Sequence, residues 1–263
     1  MSKFKHLVAS GCSFSANIRP LPEYNSWPNE VARHYDLNLI NTALSSQGNS
    51  LIARKAIYAV DKLLKDGVSP EDILVGFFWS GSDRTAFYST DETPIGVSTD
   101  NYKFGVENPT RFVPGAIGGW KILNMHWDNE DCLYYYGHYH HEIGGVINTL
   151  ERIQWTQLYL ESKGIKYFMS LYHPATFAFI DVDDLNIKWI YDTIDWSKFL
   201  PIKDLSSWLF DKRDKTLYRE NELTEEQWQR ATRYGCPFGW HPSPKGHALI
   251  TKEVIIPWIE NNL

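Results

Sequence analysis

The chain is poor in cysteine, and its cysteines are not paired. Cys12, Cys132 and Cys236 are the only three among 263 residues, and no two of them form a CxxC pattern. Disulfide frameworks and zinc ribbons need paired or closely spaced cysteines. The sequence therefore excludes both classes and indicates reduced thiols in a cytoplasmic compartment.

Long apolar runs and a surplus of basic residues are also missing. No apolar run approaches the roughly 20 residues that cross a bilayer, and no positively charged start leads into the apolar segment of a signal peptide. Lys and Arg number 26 against 32 Asp and Glu, so the formal net charge is -6. This balance disfavours nucleic acid and anionic membranes as partners. We expect a soluble, cytoplasmic protein whose partner is neutral or cationic.

Aromatic residues, by contrast, are abundant. The 11 Trp, 15 Tyr and 13 Phe make up 15% of the chain. Such content suits a bulky core, a protein interface or a surface that stacks on sugar rings. Composition leaves these three alternatives open.

Strand and helix patterns alternate along the chain, as they do in βαβ units. Apolar runs predict strands at 5–10, 37–40, 72–79 and 165–171, and the run at 72–79 is typical of a strand buried on both faces. Helices are predicted from Ser26, with Pro28 in the first turn, and at 50–65, 142–162, 224–234 and 243–261. The pattern predicts an α/β fold with three layers, α/β/α, around a central, mostly parallel sheet.

Between residues 80 and 141 the periodicity fades into Gly, Pro, Asn, Thr and many aromatic residues. This stretch is too long for an ordinary connection in a compact domain. We predict one domain over residues 1–263, with an aromatic-rich insertion at about 80–141 that contains some strand and forms a lid or an interface.

Two short motifs near opposite ends of the chain carry the chemistry. GCSFS at 11–15 follows the first predicted strand and presents Ser13 in a tight turn, and WHPSPKGH at 240–247 presents His241 before the last helix. A serine hydroxyl needs a neighbouring imidazole to take its proton before it attacks an acyl group. Together the motifs indicate a serine nucleophile, Ser13, with His241 as its base.

Other polar residues are expected near this pair. Ligands of open parallel sheets bind beyond the carboxyl ends of the strands, where loops and helix N-termini gather. Gly48 and Asn49 follow the second predicted strand, and residues 80–84 follow the third. We expect these loops to converge with Ser13 and His241 on one crevice.

In this order, the motifs resemble the conserved blocks of the SGNH, or GDSL-like, hydrolase family. GCSFS is similar to the first block, with Ser13 at the nucleophile and Cys12 where the family usually has Asp. The pattern N-x-A-x-x-x-x-G-N-S at 41–50 is similar to the second, which implies that Gly48 supplies an N–H to the oxyanion hole. HPS at 241–243 is similar to the last block, with His241 as the base.

Elsewhere the chain departs from the family pattern. SGSD at 80–83 stands in place of G-x-N-D, so Ser82 occupies the position of the oxyanion asparagine, and Asn49 is an alternative donor. Asp83 and Arg84 are candidates for the acid or for a substrate contact. Phe238 stands where the family has the Asp that orients the histidine. The acids that the sequence offers instead are Asp83, Asp181, Asp183 and Asp184.

The resemblance implies a flavodoxin-like fold and a serine esterase that removes acyl groups from a small molecule or a glycan, without a cofactor or a metal. The N–H groups of Ser13 and Gly48 would hold the oxyanion, together with Ser82 or Asn49. The motifs also resemble SGNH-type proteins encoded by tailed bacteriophages. This likeness implies association with a virion or a homo-oligomer as a further expectation.

Alternatives stay open. The missing Asp and the replaced Asn fit a catalytically degenerate domain that serves as a structural or binding module. GHYHHE at 137–142 offers zinc-type ligands, but adjacent histidines point in different directions, so we interpret them as surface residues. The G-x-S-x-G elbow of α/β-hydrolases fits less well, because Ser15 replaces its second glycine.

Overall fold

The computed structural model describes residues 3–16, 25–89, 119–173, 177, 181, 183–219, 223–234 and 240–263. The expectations placed on Cys236, on Phe238 and on residues 90–118 of the insertion lie outside this part of the chain. The candidate site residues all lie within it.

The central sheet consists of parallel strands. These are β1 (His6–Gly11), β2 (Asn38–Asn41), β3 (Ile73–Trp79) and β6 (Lys166–Leu171), and their order in the sheet is β2-β1-β3-β6. Within the predicted insertion, β4 (Arg84–Ser89) and β5 (Gly119–Asn124) pair as an antiparallel hairpin. The prediction of a mostly parallel α/β sheet is confirmed, and β3 is an interior strand buried along its whole length.

Helices connect and follow these strands. They are α1 (Trp27–Tyr35), α2 (Asn49–Lys65), α3 (Glu130–His138), α4 (Glu142–Ser162), α5 (Leu185–Tyr191), α6 (Leu205–Asp211), α7 (Glu225–Tyr234), α8 (Pro244–Ile250) and α9 (Ile256–Asn262). The long helices match the sequence predictions closely. A π-helical segment, Thr251–Ile255, joins α8 to α9 within the C-terminal helix that was predicted as one run.

The strands place alternate side chains in two core layers, as the period of a β-strand requires. In β1, Leu7 and Ala9 belong to one layer, while Val8 belongs to the other. The first layer packs on α1 and the C-terminal helices, and the second packs on α2 and α4. The α/β/α arrangement is thereby confirmed.

Trp27 links this core to the loop that follows β1. Its indole is fully buried and stacks on Phe78 with 4.7 Å between ring centroids. A Cβ on Gly76 would lie only 2.8 Å from the Trp27 ring, so β3 needs glycine there. The indole Nε1 donates a hydrogen bond to Ser15 Oγ at 2.8 Å. The buried Trp27 side chain therefore fixes the turn after β1 through its hydrogen bond to Ser15.

Some elements were not predicted. The short helices α5 and α6 span 7 residues each, which is under two helical turns and gives little periodicity to recognise. Cys12 and Cys132 are free, buried thiols. In the described part of the chain, no helix is long and apolar enough to span a bilayer.

Candidate active site

Ser13 lies in a tight turn at the carboxyl end of β1. The N–H groups of Ser15 and Ala16 both donate to the Cys12 carbonyl, at 2.9 and 3.1 Å, which closes the turn. A Cβ at Gly11 would lie 2.4 Å from Ser15 Oγ, so glycine is required where the strand enters the turn. Ser13 itself is partly exposed.

His241 is held by a short backbone pairing before α8. Pro242 bridges to Tyr218, and the Arg219 N–H donates to the His241 carbonyl at 3.1 Å. Ser243 then caps α8 by accepting the Gly246 N–H at 3.2 Å. The histidine is therefore fixed on both sides by backbone contacts.

The two motifs meet. His241 Nε2 and Ser13 Oγ are 2.7 Å apart and share a hydrogen bond. The Phe14 ring packs against the imidazole with 4.6 Å between centroids and an interplanar angle of 33°. Phe14 in turn contacts Tyr172 edge to face at 4.8 Å. The imidazole is thus aligned by aromatic packing as well as by its hydrogen bond to the serine.

The pair opens into a cavity of about 590 Å³ between the turn after β1 and the start of α4. Its lining combines apolar side chains with several titratable ones. The lining includes Ser13, Phe14, Ser82, Asp83, Arg84, His140, Ile143, Val146, Tyr172, His173, Asp181, Asp184 and His241.

Arg84 brings a positive charge to this cavity. Its guanidinium donates to Ser80 Oγ at 3.0 Å and to the Tyr172 hydroxyl at 3.3 Å, while the buried Nε atom has no acceptor among the described residues. Burial acts to lower the pKa of Arg84, but Tyr172, Cys12 and Asp83 outweigh it and raise that pKa above its usual value. Arg84 is therefore a fixed cation in the lining of the cavity that Ser13 also borders.

The residues expected to bind an oxyanion divide into two groups. Ser13 and Ser82 line the cavity, whereas Gly48 and Asn49 do not. The Asn49 amide donates to the Ser80 carbonyl and to Thr149 Oγ1, both at 3.0 Å, and its oxygen accepts the Ser80 N–H at 2.7 Å. This geometry does not support Asn49 as an oxyanion donor, because both of its N–H groups are used in holding the loop after β3.

Gly48 is placed by a close backbone contact. It is the N-cap of α2, and a Cβ there would lie 2.4 Å from the Arg84 carbonyl oxygen. Only glycine lets the start of β4 approach α2 so closely. Gly48 therefore helps to position Arg84, and its N–H, like that of Ser13, has no acceptor among the described residues.

Of the four acids proposed to orient His241, three line the cavity and one does not. Asp83, Asp181 and Asp184 line the cavity, and Asp184 also caps α5 by accepting the Asn186 N–H. None of these three, nor Asp183, forms a hydrogen bond or ion pair with His241. The position of Phe238, where the family pattern has its acid, lies outside the described residues.

Sequence reasoning missed Tyr172 and His173, which line the cavity directly after β6. The rule that ligands bind beyond strand ends would have found them, since β6 was itself predicted. From the histidine cluster, His140 reaches the cavity, and burial lowers its pKa. Among the described residues, no group of three or more His, Cys, Asp or Glu side chains is arranged to hold a metal ion.

No protein-family model matches the chain, and no curated protein matches it. Among solved structures it is similar to protein YxiM from Bacillus subtilis, with 13% identity and a TM-score of 0.48 over 99% of this chain and 57% of that one. It is also similar to a candidate lipolytic protein of the G-D-S-L family from Desulfitobacterium hafniense DCB-2, with 14% identity and a TM-score of 0.38 over 98% of this chain and 99% of that one. The chain therefore spans 57% of the length of the Bacillus subtilis protein. Neither likeness assigns a role to any residue.

Proposed function

We propose that the chain is a serine ester hydrolase of the SGNH type, with Ser13 as nucleophile and His241 as general base. The observation that carries the proposal is the 2.7 Å hydrogen bond between Ser13 Oγ and His241 Nε2. These residues are 228 positions apart in the sequence and meet at the wall of a cavity. A serine in this position can pass its proton to the imidazole as it attacks.

In the acylation step, Ser13 Oγ forms a bond to the ester carbonyl carbon while its proton passes to His241 Nε2. The bond from that carbon to the alcohol oxygen then breaks, and His241 returns the proton to the leaving alkoxide. A water molecule gives its proton to the same imidazole and attacks the acyl-serine. The bond from the acyl carbon to Ser13 Oγ then breaks, and His241 returns the proton to Oγ, which releases the acid and regenerates Ser13.

Three groups support stabilisation of the negative oxygen that develops during attack. The Ser13 N–H has no acceptor among the described residues, and Ser82 and Arg84 line the same cavity. Preorganised donors of this kind commonly contribute about 100- to 1000-fold in rate each. A fixed guanidinium compensates electrostatically for the asparagine that the family pattern would have at the position of Ser82.

The cavity supports an ester that joins a small acyl group to a polar alcohol, with a carbohydrate as the preferred class. Phe14, Ile143 and Val146 form apolar wall, while His140 and Asp181 add polar groups. A volume of about 590 Å³ is typical of small-molecule sites. Assembly into a homo-oligomer or a virion stays a prediction from the sequence.

A fluorophosphonate probe tests the proposal without knowledge of the substrate, because it reacts with activated serines. Peptide mass spectrometry should locate the adduct on Ser13, and Ser13→Ala should abolish it. His241→Ala should slow labelling by about 1000-fold or more, whereas Ser162→Ala, at the exposed end of α4, should label normally. Circular dichroism confirms that each variant is folded. A folded wild-type protein without an adduct on Ser13 would overturn the proposal and favour the catalytically degenerate module.

A further inference from the structure

Two further cavities lie in a row beside the cavity of Ser13 and His241, and each shares lining residues with the next. A second cavity of about 250 Å³ shares Ser82 and Arg84 with it. A third, of about 430 Å³, shares Arg54 and Arg152 with the second. We call this row of three adjoining cavities the groove; it extends from Ser13 to residues of α2 and α4.

Two arginines dominate the far part of this groove. Arg54, on α2, lies over the Trp120 ring with its Cζ 4.8 Å from the ring centroid. Arg152, on α4, lies over the Trp155 ring at 4.4 Å. A guanidinium stacked on an indole loses freedom, while the N–H groups at its edge still point outward. Stacking therefore restrains both guanidinium groups in positions from which they can donate hydrogen bonds to a ligand.

No ion pair with another described residue neutralises their positive charges. In the described part of the chain, neither side chain forms an ion pair or donates a side-chain hydrogen bond. Burial, and then the nearby Arg54 charge, lower the pKa of Arg152, while Glu151 acts in the opposite direction. Asp83 borders the second cavity and Asp61 borders the third, but Asp61 accepts a hydrogen bond from Tyr159. An anion between the two guanidinium groups would relieve their repulsion.

We propose that Arg54 and Arg152 form a binding site for an oxyanion group, a carboxylate, sulfate or phosphate, on the uncleaved part of the ester substrate. Arginine forks match the paired oxygens of such groups. The link to an ester rests on the proposed function, whereas anion binding itself does not. The net charge alone favours a neutral or cationic partner, but a local pair of cations sets the preference within this groove.

The test follows the arginine Nε–H signals by NMR in the Ser13→Ala protein, which does not turn over ester. Acetate, sulfate and phosphate are titrated separately at constant ionic strength. The signals of Arg54 and Arg152 should shift together and saturate with one dissociation constant, and Arg54→Gln should weaken the response of Arg152 by about tenfold. The exposed Arg213 and Arg230 serve as matched controls. Shifts at Arg54 and Arg152 no larger than at these controls, for all three anions, would overturn the proposal.

A kinetic arm connects the site to catalysis in the wild-type protein. Monoacetylated methyl glucuronide, glucose 6-sulfate and glucose 6-phosphate are compared with monoacetylated methyl glucoside. At least one charged ester should have a kcat/KM about tenfold above that of the neutral ester, and the Arg54→Gln, Arg152→Gln double variant should remove that advantage, mainly through KM. The anion with the largest advantage identifies the source. Turnover of all esters without any charge preference overturns this inference alone, whereas saturable anion binding with no turnover counts against the proposed function alone.

Discussion

Replacing Asn49 by alanine separates two roles that the sequence left open for this residue. Asn49 is buried, and its amide makes hydrogen bonds to the Ser80 N–H, the Ser80 carbonyl and Thr149 Oγ1. These bonds tie the start of α2 to the end of β3 and to α4. If Asn49 only holds these segments together, the alanine variant should lose folding stability. If Asn49 is an oxyanion donor, the variant should instead lose reaction rate at Ser13.

The size of the effect follows from the groups left behind. Alanine leaves the Ser80 N–H and carbonyl without these partners in a buried position, while Thr149 keeps its hydrogen bond to the Gly145 carbonyl. A buried backbone group without a partner costs roughly 1–3 kcal/mol. We therefore expect Asn49→Ala to lower the free energy of unfolding by about 3 kcal/mol.

Urea unfolding followed by circular dichroism measures this change, and the exposed Asn186→Ala, expected within about 0.5 kcal/mol of wild type, is the control. Below the unfolding transition, the rate of fluorophosphonate labelling on Ser13 should stay within about threefold of wild type, since no oxyanion donor is lost. A stable variant whose labelling falls by about 100-fold would refute the reasoning and make Asn49 an oxyanion donor.

Three further predictions concern the surroundings of the Ser13 and His241 pair. Phe14→Leu removes the ring that packs on His241 at 4.6 Å, so labelling of Ser13 should slow by about tenfold; an unchanged rate would contradict a role in alignment. Gly48→Ala sets a Cβ 2.4 Å from the Arg84 carbonyl oxygen, so urea unfolding should reveal a loss of about 1–3 kcal/mol, and a variant as stable as wild type would refute the close contact. His247 is fully buried, and burial is the main reason that its pKa is lowered to about 3. Because this folded pKa lies below the unfolded value of about 6.5, the unfolded state gains the proton first and stability falls as the pH drops below about 6.5, by about 1.4 kcal/mol per pH unit. The difference in stability between wild type and His247→Leu should follow that slope from pH 6.5 to pH 5, and a constant difference would contradict it.

The sheet and the long helices could be predicted because their signals are local. The continuous apolar run of β3 reflects burial on both faces, and α4 ends at Ser162, where Gly164 adopts a positive φ of 70°. Elements that are stabilised by packing between distant segments leave no comparable periodicity in the sequence. The short helices α5 and α6 were missed because each depends on packing by the rest of the fold more than on its own periodicity.

The same distinction applies to the candidate site. Ser13 and His241 could be named from the sequence because each lies in a short motif next to a predicted element. The clamp formed by Asn49 could not, since its partners Ser80 and Thr149 are 31 and 100 residues away. Tyr172 could be placed at a strand end, but its contact with Arg84 depends on how β4 folds back over α2.

The aromatic residue next to Ser13 restrains His241 by packing, in a chain whose sequence has Phe238 where the family pattern has an acid. An acid in a catalytic triad holds the imidazole in one orientation and stabilises its positive charge. Phe14 contributes to the first role, because it belongs to the same turn as Ser13 and packs on His241. Its ring is in turn held by Tyr172, whose hydroxyl accepts from Arg84. The turn after β1 thus supplies both the hydrogen-bond partner of His241, Ser13, and the ring that packs on its imidazole, Phe14.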